Sequence, residues 1–102
     1  MIHVIAIITT KPGKREEYLR WRRHSVFPYM ASHEGFLGSV LLSTDDPNSF
    51  VIFNKWVSRA AEEAYIAHPR EAELRVEARQ FVVDLVSQSF DGEIVDVWSA
   101  PQ

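Results

Sequence analysis

His24 and Ser25 stand side by side, and a histidine next to a hydroxyl is a natural place to look for nucleophilic chemistry. They form no triad, because adjacent residues on a helix point to different sides. His24 alone remains a candidate base that could face a cleft. The four histidines (His3, His24, His33, His68) are never two, three or four residues apart, so no metal-ligand spacing is present. The chain has no cysteine, which removes disulfides, thiolate zinc, iron–sulfur clusters and thiol nucleophiles together. Gly13, Gly35, Gly38 and Gly92 are scattered and make no phosphate-cradling loop. Neither a metal nor a nucleotide cofactor is expected. What the chain has in quantity is rings: three Trp, three Tyr and six Phe. Tyr18 and Trp21 share a helical stripe, as core residues or as the wall of a cavity. Phe27, Tyr29 and Met30, beside Pro28, are placed to form its mouth.

With 102 residues, 46% of them apolar and 25% charged, the chain has enough for one globular core and too little for two. A single domain over 1–102 is expected. The net charge of −3 argues against a general nucleic-acid binder. Six basic residues do crowd into one stretch (Lys11, Lys14, Arg15, Arg20, Arg22, Arg23); Arg20, Arg22 and Arg23 read as a solvated helix face, with attraction for an acidic substrate or partner as the alternative. The N-terminus lacks the pattern of a signal peptide, and nothing approaches the ~20 apolar residues of a membrane span. The composition fits a cytoplasmic protein.

The elements that must hold these residues follow from periodicity. Ile2 to Thr10 is a strand whose near-continuous apolarity asks for cover on both faces. An amphipathic helix runs from Pro12 toward Tyr29 and is expected to fray near Val26–Phe27, because Pro28 disfavours helical geometry before it. Phe36–Ser43 and Phe50–Trp56 form a hairpin about the Asp45–Ser49 turn. Ser58 caps a helix to Ala67, and His68 is placed to cap that helix's end. The pattern then predicts a helix from Arg70 to Val86, a turn at Asp91-Gly92 and a last strand, Glu93–Trp98. This order is the split βαβ of a ferredoxin-like α+β domain with a four-stranded antiparallel sheet. A second copy is the economical cover for the outer sheet face, so a homodimer is expected.

The Lys11-Pro12-Gly13-Lys14 turn, Glu34-Gly35-Phe36, Trp56-Val57-Ser58 and the segment His68-Pro69-Arg70-Glu71-Ala72-Glu73-Leu74-Arg75 together resemble the antibiotic biosynthesis monooxygenase family of dimeric α+β barrels. The look is closest to members that oxidise anthrones to quinones with O2, without flavin or metal. The resemblance implies a Trp ending the third strand and an Arg beyond the Pro-Arg pair as catalytic groups, here Trp56 and Arg75. The family's Asn before the Trp has no match in register, since Ile52 lies four residues before Trp56. Asn54, two before and on the same face of the strand, is the substitute. A family Tyr on the next helix falls three residues from Tyr65. Haem-degrading members carry an Asn on the first strand, near Ala6 here, which sets that activity aside.

The expected site is therefore Trp56, Arg75 and Asn54 as catalytic residues, with Trp21, His24, Phe27 and Tyr65 around the substrate. The expected activity is cofactor-independent monooxygenation of a polycyclic anthrone- or quinol-type aromatic. Two other classes fit the same residues: a ligand-binding or regulatory dimer, in which Arg75 stays in a Glu71–Arg75 surface pair, and an isomerase or decarboxylase using His24.

Overall fold

β1 (Ile2–Thr10) runs through the middle of the molecule. Its residues Ile2, Ala6, Ile8 and Thr10 are buried, while Ile5 and Ile7 on the opposite face stay exposed. That two-residue period belongs to a strand packed on one side only. In the computed structural model, which describes residues 1–101, β1 is flanked by both of its antiparallel neighbours. One is β3 (Ser49–Trp56), paired from Ile2↔Trp56 to Thr9↔Ser49. The other is β4 (Val82–Asp91), paired from Ile2↔Asp91 to Thr10↔Val82. With β2 (Phe36–Ser43) outside β3, the sheet order is β2-β3-β1-β4, and the fold is ferredoxin-like α+β as expected.

The helical segments lie on one face of the sheet. They are α1 (Arg15–Trp21), a π-helical turn (Arg22–Val26), α2 (Phe27–Ala31), α3 (Arg59–Ala67) and α4 (Pro69–Ala78). Tyr18 joins Ala6, Ile8, Phe50 and Ile52 in one buried cluster; Val26 and Met30 join Ile2 and Trp56 in another. Ser58 caps α3 by accepting from the Ala61 N–H at 3.2 Å.

Three expectations are corrected. The first helical stretch continues past Pro28 to Ala31 instead of fraying before it. Pro28 has no N–H, and its ring crowds the carbonyl four residues back. The π turn relieves this, with the Phe27 N–H bonding five residues back to the Arg22 carbonyl. The last helix stops at Ala78, and Val82–Asp91, not Glu93–Trp98, is the last strand. Val82–Asp91 pairs along the whole of β1, from Ile2↔Asp91 to Thr10↔Val82. His68 stands at the C-terminal cap of α3 and also caps the start of α4, where its Nδ1 accepts from the Arg70 N–H at 3.1 Å. Among the described residues no helix is long and apolar enough to cross a membrane, and no group of three His, Asp or Glu could hold a metal ion.

Candidate functional site

Between helices and sheet lies a cavity of about 390 Å³. Its floor is Val4, Ala6 and Ile8 of β1 with Ile52, Asn54 and Trp56 of β3. Tyr18, Trp21 and Arg22 form one wall; Glu62 and Tyr65 of α3 with Glu71, Leu74 and Arg75 of α4 form the next. The last side is Leu85, Ser87 and Ser89 of β4, where the side chains are exposed and the hollow opens. The volume is that of a small-molecule site.

Strand alternation puts Asn54 and Trp56 next to each other on the floor. Trp56 is 1% exposed and packs against Tyr65 and Phe36, with ring centroids 4.8 and 5.1 Å away. The Trp21 and Trp98 indoles donate to Glu77 and Asp96, but among the described residues the Trp56 N–H has no acceptor. Asn54 Oδ1 accepts from the Ser39 hydroxyl at 2.5 Å, so its partner is a side chain on β2 and its amide N–H groups remain free to donate. Tyr65 reaches the cavity despite its offset from the family position. Burial pushes its phenol up to about 12, with the Glu71 carboxylate adding to the shift, so it stays protonated and can act as a donor.

The remaining expected residues fall in different places. Trp21 is a wall residue, held by its N–H to Glu77 Oε1 at 3.3 Å and by stacking with Phe81. Arg75 lies at the rim: its side chain is 67% exposed and its Nε donates to Glu71 Oε1 at 2.6 Å. His24 is exposed and lines a separate shallow depression with Glu17, Arg20 and Gln80, so a base there has no access to the cavity. Phe27 does not line the cavity; its ring lies 4.7 Å from the Arg22 guanidinium.

Arg22 corrects the expectation of a solvated basic face, for it is 6% exposed and belongs to the cavity wall. The signal in the sequence is its spacing, four residues after Tyr18 and five before Phe27, the two rings that clasp it. The π turn brings the second of these into reach. Its Nη1 donates to the Tyr18 hydroxyl at 3.2 Å, while Nε and Nη2 have no partner.

Compared with known proteins, residues 1–83 match the sequence profile of the family described as antibiotic biosynthesis monooxygenase. No curated protein matches the chain in sequence. Among solved structures it is similar to SnoaB of Streptomyces nogalater, described as a cofactor-independent oxygenase. That pair shares 19% identity at a TM-score of 0.80, covering 92% of this chain and 94% of the other. A Deinococcus radiodurans protein assigned to antibiotic biosynthesis monooxygenases shares 16% identity at a TM-score of 0.84, covering 97% and 100%. PA3566 of Pseudomonas aeruginosa shares 21% at 0.74, covering 91% and 94%. At these identities the structural likeness establishes the fold.

Proposed function

The chain belongs to the antibiotic biosynthesis monooxygenase family, and from that premise we propose that it is a cofactor-independent oxygenase acting on a flat, electron-rich aromatic of the anthrone or quinol type. The observation that carries this reading is the Trp56 N–H without an acceptor, beside the free amide donors of Asn54, on the floor of a ring-lined cavity. An anthrone that has lost a proton from its CH2 group can itself give an electron to O2. The substrate radical and superoxide then combine through a C–O bond, a proton completes a hydroperoxide, and loss of water leaves the carbonyl. One oxygen atom ends in the quinone and the other in water. The substrate supplies all four electrons.

In this scheme the protein orients a ring system, stabilises negative charge on oxygen and limits bulk water. Trp56 and Asn54 donate to the substrate or peroxide oxygen, Tyr65 and Trp21 bound the rings, and Arg75, its Nε held by Glu71, offers its remaining guanidinium N–H groups at the rim. Two copies packed through their outer sheet faces make the working unit. The test is quinone formation from an anthrone in air by chelator-treated, flavin-free protein. Turnover well above buffer is expected, falling about 10²-fold in Trp56→Phe. Quinone formation no faster than in buffer across a panel of anthrones removes the proposal.

The Arg75–Glu71 bond at 2.6 Å favours a second reading, a non-catalytic ligand-binding protein, in which that ion pair is only a surface contact. Turnover that is unchanged in Arg75→Ala takes Arg75 out of the chemistry and leaves the oxygenase standing. Tight binding of aromatics with no turnover selects the second reading.

A further inference from the structure

We propose that the cavity takes its ligand in the deprotonated state, and that the buried guanidinium of Arg22 makes that selection. This rests on the reading of the cavity as a site for hydroxylated aromatics and names the form in which they bind. It does not require that O2 chemistry follow.

The charges around the cavity lead to this. Glu62 is paired with Arg59 at 2.7 Å, and Arg75 with Glu71 at 2.6 Å. Tyr65 is neutral up to about 12, and burial raises Tyr18 as well, Arg22 opposing the rise only in part. Arg22 is left over: among the described residues no carboxylate lies within 4.0 Å of it. The Phe27 face at 4.7 Å and the Tyr18 hydroxyl at 3.2 Å hold it, yet Nε and Nη2 remain buried without an acceptor. A buried charge with no counter-charge strongly favours whatever negative charge can be brought near it. In this molecule the adjoining open space is the cavity.

The attraction acts through a low-dielectric wall, so it reaches a phenolate or enolate oxygen without direct contact. The Tyr18 oxygen accepts from Arg22, and Tyr18 lines the same cavity. A neutral phenol gains little from this arrangement and a phenolate gains much. The acid–base equilibrium of a bound phenol is thereby shifted toward the anion, as an electron donor to O2 requires.

A dihydroxyanthraquinone is a suitable probe, because it is already a quinone and its colour changes when a phenol ionises. Its titration is followed when bound to wild type, Arg22→Gln and Arg22→Lys, beside binding of its dimethyl ether. In wild type the bound phenol is expected to ionise at least one pH unit lower than in water, a tenfold shift of the equilibrium. Arg22→Gln is expected to abolish the shift and Arg22→Lys to keep part of it, with little change in binding of the ether. A purely structural Arg22 would change affinity for both probes together and leave the ionisation of the bound phenol alone. A wild-type ionisation at or above that in water overturns the proposal, whether or not the variants fold; so does a full shift retained in Arg22→Gln. A protein that shifts the phenol but does not oxidise anthrones loses the oxygenase reading and keeps this one. Anthrone turnover with no shift does the reverse.

Discussion

Arg22 and Tyr65 show how far this cavity departs from water. Placing a lone guanidinium behind Tyr18 and Phe27 lowers stability, so Arg22→Met is expected to hold or raise the melting temperature while anion binding falls. A gain of ~1 kcal/mol corresponds to about 4–8 °C in a domain of this size. A fall larger than that, by calorimetry, shows that the rings and not a ligand already satisfy the charge. Tyr65 makes a pH prediction. Its phenol ionises near 10 when unfolded and is pushed up to about 12 in the fold, chiefly by burial. The folded state thus keeps its proton longer. The stability this contributes is fully present below pH 10 and is lost as pH rises toward 12. Alkaline unfolding of Tyr65→Phe compared with wild type should remove that part of the decline; parallel curves would contradict it. The family resemblance points to Trp56, and strand alternation puts Asn54 on the same face; both line the cavity. Arg22 was not legible in the sequence, since Arg20 and Arg23 flank it and a lone charge is rarely buried.

α3 reaches the cavity only because Gly35 lets it come close. The Gly35 φ is +89°, and a Cβ there would sit 2.7 Å from the Ala61 Cβ and 2.8 Å from a Val57 methyl. The same turn receives the Val57 N–H on the Gly35 carbonyl at 2.8 Å. Gly35→Ala should therefore cost more than ~2 kcal/mol in denaturant unfolding, from clash and strain together. Gly13→Ala, with positive φ but open space, should cost about 1 kcal/mol. Equal losses would mean that the close packing is not what matters. Periodicity made β1, the hairpin and the Ser58 cap legible. It failed after Ala78 because Leu85 continues the Leu74–Ala78 stripe by coincidence. In addition, the inward side chains of β4 include Ser87 and Ser89, which hide the alternation of a strand. What decided the matter was long-range pairing with β1, which local periodicity does not report.

On the outer face of the sheet Ile5, Ile7, Val40, Leu42, Phe53 and Val86 are all at least 40% exposed. A contiguous apolar surface of this kind is what a second copy would cover. Ile94, Val95, Val97 and Trp98, beyond the last strand, add apolar area that the chain itself leaves open. Sedimentation is expected to give a dimer, and Phe53→Glu a monomer with weaker ligand binding; a monomeric wild type in dilute solution would remove the back-to-back assembly. Chain order and a layer of helices on one face of the sheet could be read from local pattern, whereas the open β4 side of the cavity depends on how far the helices reach across the sheet. The most direct test of the whole account is oxygen uptake during conversion of a known amount of anthrone by the metal- and flavin-free protein, with catalase added at the end. The account predicts uptake well above buffer, one O2 consumed per quinone formed, and no oxygen returned by catalase. Uptake no faster than in buffer, or oxygen returned because peroxide had been released, would contradict it.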